Sequence, residues 1–303
     1  MSRGIRCMLM RGGTSKGLYF LASDLPDAPD SLNTLLLRIM GSGHPLQIDG
    51  LGGAHPLTAK AAVVSLAPPG DQDADVDYLF LQFGVEQATV TDRQNCGNLL
   101  AGVGPFAVER GLIEPGGQTT TTRIRMLNSG SVVTATFATP GGVPEYSGGT
   151  AIAGVPGTAA PITLRFADTA GSATGHLLPT GQVRDIVDGV EVTCVDNGMP
   201  VVVARAADLG ITGYESHAEL TGDGALTGRV QALRLAAGRL MGLGDVTDTS
   251  VPKTTLVSAP RDGGTICTRT FVPVRPHTAI GVLGAVSAAT ALLLPGGTGA
   301  ELA

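Results

Sequence analysis

The chain has 303 residues, enough for two domains of ordinary size with a sizeable core. Its formal net charge is −6 and its basic residues are scattered singly. That excludes the continuous basic stripe that follows a phosphate backbone, and with it a nucleic-acid partner. Glycine contributes 44 residues and tryptophan none, while Thr and Val recur in short alternating runs. This composition calls for many turns and strands and few long helices.

The N-terminus carries Arg3 and Arg6 with only a short apolar run, less than the about 7–15 residues of a signal-peptide core, so a cytoplasmic location is expected. The tract from Ile280 to Leu294, interrupted by Gly281 and Gly284, falls short of the about 20 residues that cross a bilayer and reads as a buried helix, with no membrane partner. Cys7, Cys96, Cys194 and Cys267 are far apart and form no CxxC pair. They read as free thiols, with neither a metal site nor a disulfide framework.

Residues 5–20 read as strand, turn, strand, joined by Arg11-Gly12-Gly13-Thr14-Ser15-Lys16-Gly17. The phosphate-loop motif requires Ser or Thr after the Lys and then a helix, and here Gly17 and an apolar strand follow. The turn reads instead as a carboxylate cradle in which Arg11, Thr14, Ser15 and Lys16 contact a ligand. Asp24 to Met40 is a helix with Ser31 as its cap. Gln47 to Lys60 is a second Gly-rich loop, running into a strand from Ala61. Lys60 stands out because the chain uses Arg seventeen times and Lys only three, at 16, 60 and 253. Lys, unlike Arg, shifts its pKa readily on burial and so can carry a proton.

Asp77 to Val90 alternates as strands leading to Gln94-Asn95-Cys96-Gly97-Asn98, which opens an apolar, Gly-rich helix kinked by Pro105. A helix N-terminus favours negative charge, and such a setting brings a thiol into its thiolate form near neutral pH. Two amides beside the sulfur are not what hydrophobic burial alone calls for. Cys96 is therefore the candidate catalytic group, with Asn95, Gly97 and Asn98 around it. Gly102-Val103-Gly104-Pro105-Phe106-Ala107 spells GxGxxA, but within a helix-like run, so a dinucleotide is not indicated; those glycines allow close packing.

Thr119 to Ala138 is a hairpin turning at Asn128, and Pro161 to Phe166 a further strand. Val190 to Val203 is a strand pair broken by Asp196-Asn197-Gly198-Met199-Pro200, which resembles a site loop. Leu209 to Gly244 is mainly helical, and Pro252 to Thr270 returns to strands with Lys253 in the first. His277-Thr278 then opens the last apolar helix. The halves rhyme, each ending its strands at a turn with one special residue, Cys96 or His277, that launches an apolar helix. Two positive helix ends suit a substrate with several carboxylates.

Taken together, MRGGTSKG, the loop ending at Lys60, QNCGNLLAGVGPFA, DNGMPVV and RTFVPVRPHTAIGVLGA resemble the PrpF-type isomerases over essentially the whole chain, and within them the 4-oxalomesaconate tautomerases of gallate and protocatechuate breakdown. The resemblance implies an α+β fold like that of diaminopimelate epimerase: two related domains, each a mixed sheet or barrel wrapped around a central helix, with the active site between them. The domains are placed at 1–187 and 188–303. It also implies a cofactor-independent isomerase that moves a proton through a dienolate on an unsaturated tricarboxylate, with Cys96 and Lys60 as the acid–base pair. Arg11, Thr14, Ser15, Lys16, Asn95, Gly97, Asn98, Asn128, Asn197, Met199, Lys253, His277 and Thr278 are its expected substrate contacts, and a homodimer is a possible assembly. The epimerases carry a second Cys where this chain has His277-Thr278. Family members also continue into further strands past the point where this sequence stops, so the expectation is a second domain without those strands, either because the tail is missing from this sequence or because other elements replace it. An aconitate or 2-methylaconitate isomerase is the alternative enzyme, and a carboxylate-binding protein the alternative without catalysis.

Overall fold

The computed structural model describes residues 4–92 and 95–303, so Arg3 and Gln94 lie outside the described residues. The chain forms two compact units, Met1–Ala167 and Asp168–Ala303.

The first unit runs β1 (Met8–Gly12), β2 (Ser15–Leu21), α1 (Pro29–Met40), β3 (Lys60–Leu66), β4 (Val76–Phe83), β5 (Val90–Thr91), α2 (Gly97–Leu100), α3 (Val103–Glu109), β6 (Thr119–Met126), β7 (Val132–Ala138) and β8 (Ile162–Phe166). Its mixed sheet has the order β1-β2-β3-β4-β6-β7-β8, with β5 beside β4. The pairs β2/β3 and β4/β6 are parallel and the others antiparallel. Alternation along the strands assigns the faces. Tyr19, Ala62, Val64, Val76, Tyr78 and Phe80 point to one side, where Leu99, Leu100, Val103 and Phe106 of α2 and α3 fill the core. Leu18, Phe20, Ala61, Val63, Leu81 and Phe83 point to the other, against Leu36 and Met40 of α1. A sheet buried on both faces explains the near-continuous apolar run after Lys60.

The second unit runs β9 (Asp185–Val187), β10 (Val190–Asp196), β11 (Pro200–Arg205), α4 (His217–Gly222), α5 (Gly224–Leu240), β12 (Lys253–Ser258), β13 (Cys267–Phe271) and α6 (Val282–Leu293). Its sheet order is β13-β12-β11-β10-β9, with β11/β12 parallel. Leu226, Val230, Leu233 and Ala237 of α5 cover one face. Ala288 and Ala291 of α6 pack with Val195, Val201, Val203 and Val257 on the other. The α+β expectation of mixed sheets packed on helices holds in both units.

Several local expectations change. The compact units divide after Ala167, whereas the sequence reading placed the division at 187/188. Residues 171–177 are bonded to the second sheet: buried Asp196 accepts from Ser172 Oγ, from the amides of Ala173 and Thr174, and from Thr174 Oγ1. Ser31 is not a cap, because Pro29 presets the first helical turn and α1 starts from Ala28. The helix after Cys96 is in two pieces. Pro105 has no N–H to give Ala101 O, and the turn before it tightens, Gly102 N donating to Leu99 O. His277 does not open α6, whose N-cap is Gly281. A Phe271–Pro276 bridge and a bond from His277 N to Thr270 O at 2.8 Å keep that stretch extended alongside β13. All four cysteines are free. No helix among the described residues is long and apolar enough to cross a membrane.

Candidate active site

Three stretches far apart in sequence meet in the first unit. The glycine turn between β1 and β2 touches the Lys60 loop through Lys16 N, which donates to Leu57 O at 2.9 Å. It touches the Cys96 turn through Thr14 N, which donates to Asn98 Oδ1 at 3.3 Å. Its glycines make this approach possible: a Cβ at Gly12 or Gly13 would collide with Asn98, and one at Gly17 would lie 2.7 Å from Lys60 O and 3.0 Å from Leu99 Cδ1. The turn therefore works first as a close-packing device that sets the Cys96 turn against β3.

Cys96 is the N-cap of α2 and is only 9% exposed; its Sγ accepts from Leu99 N at 3.4 Å. Its turn is anchored by two buried phenols, Tyr78 donating to Cys96 O at 3.4 Å and Tyr19 to Leu99 O at 2.5 Å. Burial first, and then the neighbouring Cys96, pushes both phenols well above their ordinary pKa, so they remain donors. Lys60 is 8% exposed, with its Nζ 5.2 Å from the centre of the Phe80 ring and donating to Gln82 Oε1. Burial lowers its pKa from the ordinary 10.5, opposed by attraction to Cys96. An amine and a thiol, each able to carry a proton, are thus electrostatically coupled in a site largely closed to water.

Around them, Thr14 Oγ1, Ser15 Oγ and Asn95 Oδ1 are buried without a hydrogen-bond partner. They are three of nine such atoms among the described residues, and these three lie in the two adjoining turns, where they are available to a bound molecule. Gly97 and Asn98 are buried. Arg11 is exposed and donates to Gly13 O at 2.7 Å, while Lys16 is half-buried. Asn128 is engaged by the backbone: it accepts from Phe80 N and donates to Phe80 O and Asp92 O, clamping β4.

In the second unit, Asn197 is tied to α6 and its neighbouring loop. Its amide N–H donates to Ser287 Oγ at 3.0 Å, its Nδ2 to Thr290 Oγ1 at 2.9 Å, and Thr169 Oγ1 donates to its Oδ1. Met199 packs beside Val195 and Val201, and its carbonyl accepts from Ser287 Oγ. Lys253 is half-buried, and a Cβ on Gly281, the N-cap of α6, would lie 3.7 Å from its Nζ. His277 is half-buried with Nδ1 2.7 Å from Ala279 O, and Thr278 is exposed.

Gln82 was missed in the sequence although a signal existed. Along β4 it shares the face of Val76, Tyr78 and Phe80, and its register partner is Lys60. Two long polar residues opposite each other on a core-facing register are conspicuous in an otherwise apolar strand pair.

A buried thiol and a buried amine, each a group that can carry a proton, thus lie in adjoining motifs on an α+β scaffold. The family described as "PrpF protein" matches residues 2–303. The chain is 59% identical over 298 residues to the (4E)-oxalomesaconate Delta-isomerase of Novosphingobium sp. (strain KA1), covering 98% of this chain and 83% of that protein. It is 54% identical over 299 residues to the 4-oxalomesaconate tautomerase of Pseudomonas putida, covering 99% and 82%. Among solved structures, a methylitaconate-delta-isomerase superposes with a TM-score of 0.81 at 32% identity, covering 98% of this chain and 82% of that one. The chain belongs to the PrpF family and is an isomerase.

Proposed function

We propose that the enzyme isomerises 4-oxalomesaconate, with Lys60 and Cys96 as its acid–base pair, in the breakdown of gallate or protocatechuate. One of the two removes a proton from a carbon next to the conjugated ketone or alkene. The electron pair spreads into a dienolate, and the other delivers a proton at its far end. Protons in such positions are acidic enough for a placed side chain to remove, so the chemistry calls for no cofactor. Thr14, Ser15, Asn95 and Asn98 would hold the carboxylates and the developing charge.

The observation that carries this reading is that two side chains able to hold a proton, Cys96 and Lys60, are each less than a tenth exposed in turns that the same glycine turn holds. The substrate is supported by the names of the two relatives that share 59% and 54% of their aligned residues with this chain. Likeness to the methylitaconate isomerase favours a smaller unsaturated acid as the second reading. The test is an ultraviolet assay of the purified protein on 4-oxalomesaconate, methylitaconate and the aconitates side by side. Turnover greatest on 4-oxalomesaconate and unchanged by EDTA is expected. Preference for a smaller acid would replace the substrate, and EDTA inactivation reversed by a divalent metal would overturn the cofactor-free chemistry.

A further inference from the structure

Lys60 Nζ has two neighbours on β4: the Phe80 ring, 5.2 Å from it, and Gln82 Oε1, to which it donates. The Gln82 side chain has no freedom to present anything else. Its Nε2 faces three main-chain carbonyls, Ala59 O at 2.9 Å, Pro56 O at 3.2 Å and Phe83 O at 3.2 Å. Turning the amide over would set Oε1 against those same carbonyl oxygens, acceptor against acceptor, so the orientation follows from the network. Two of the carbonyls belong to the loop that delivers Lys60, and Gln82 is its register partner on the neighbouring strand. One side chain therefore fixes both the loop and the direction of the amine.

We infer that Gln82 is the positioning residue for Lys60: a neutral acceptor, locked by the main chain, that aims the amine without fixing it as a permanent ammonium. The inference rests on the acid–base reading of Lys60 given above. A carboxylate at this position would also accept from Nζ, but it would add a full negative charge in a poorly hydrated place and hold the proton on Lys60. Beyond β4, the titratable group that acts on Lys60 is Cys96, which favours the ammonium. The groups that β4 turns toward Lys60, Phe80 and Gln82, are uncharged, so β4 adds no charge to oppose the effect of burial. The amine can then change protonation state during turnover.

The test compares wild type with Gln82→Glu and Gln82→Leu, using two readouts. The first is the pH dependence of Lys60 acylation by a small amine-reactive anhydride, read by peptide mapping; with only three lysines in the chain the Lys60 peptide is unambiguous. The second is the pH profile of kcat and KM on 4-oxalomesaconate, with circular dichroism as the check on folding. Gln82→Glu is expected to move the Lys60 titration to higher pH by about a unit or more, and to carry the matching limb of the rate profile with it. Gln82→Leu is expected to lower kcat about 10–100-fold with little change in KM, the result of an amine that is present but no longer aimed. Acylation needs no substrate, so the two readings separate. A shifted Lys60 titration in a protein without turnover would support the role of Gln82 and retire the proposed reaction. Turnover with an unmoved Lys60 titration in folded Gln82→Glu would overturn the role of Gln82 and leave the reaction standing. If Gln82→Leu fails to fold, the outcome for Gln82→Glu decides.

Discussion

The Cys96 turn in the first unit and the Asp196–Asn197 turn in the second both follow β-strands, and both carry polar residues in an apolar setting. Their polar atoms are used differently. Asp196 accepts from four donors in residues 172–174, and Asn197 bonds Thr169, Ser287 and Thr290, so both side chains are engaged in holding loop and helix to the sheet. Beside Cys96, Asn95 Oδ1, Thr14 Oγ1 and Ser15 Oγ are buried and unpaired, and Lys60 is held at a lowered pKa. At these two turns the polar residues differ in use: those at the second are consumed in holding the fold, while those at the first keep acceptors and donors to spare.

The largest effects should fall on the first turn. Cys96→Ala and Lys60→Met should each lower turnover by about 10²–10⁴-fold with circular dichroism unchanged. Near wild-type activity in either would remove that residue from the pair. Lys60→Met should also gain stability over wild type, and the sign follows from linkage. The folded-state pKa of Lys60 lies below its ordinary 10.5, so at lower pH folding must bury a charged amine. Wild-type stability should then recover as pH rises from the depressed value toward 10.5, where the unfolded chain holds the extra proton. The stability gap between variant and wild type in denaturant titrations should therefore narrow across that window; a gap independent of pH would contradict a lowered Lys60.

Gly13→Ala comes next. Its added Cβ collides with Asn98 at a position of φ +54, so a loss of about 1–3 kcal/mol is expected, with activity falling because the Cys96 turn is displaced. Wild-type melting and turnover would mean that the glycine turn does not set that geometry. The smallest effect belongs to the second turn: Asn197→Ala should cost about 1 kcal/mol for its lost hydrogen bonds and leave KM within about twofold. A tenfold rise in KM would erase the contrast between the two turns.

Much of this was legible in the sequence, for identifiable reasons. The apolar run AAVVSL and the alternation in DYLFLQF announced the strands, while the amides flanking Cys96 and the scarcity of lysine single out the two residues on which the proposed reaction rests. What was hidden depends on contacts between distant residues. Nothing local shows that Gly13 faces Asn98, that Asn128 clamps Phe80, or that residues 171–177 fasten to Asp196. His277 was misplaced relative to α6 because an apolar run after a Pro reads as a helix, while pairing with β13 holds Pro276 and His277 and the helix starts only after Gly281. Arg234 gave no sign of its burial either: in a helix it reads as a solvated residue, yet it is 0% exposed and donates to the carbonyls of Thr247, Thr249 and Val251.

That Cys96 and Lys60 act as two separate proton carriers is tested most directly by proton NMR of the product formed in D₂O under single-turnover conditions, with substrate deuterated at the departing position run in H₂O as the reverse check. Two carriers, each exchanging with solvent, should place solvent deuterium at the receiving carbon in every turnover and carry little of the substrate's own label across. Substantial transfer of that label to the product would show one group ferrying a single proton, and one of the two residues would leave the catalytic pair.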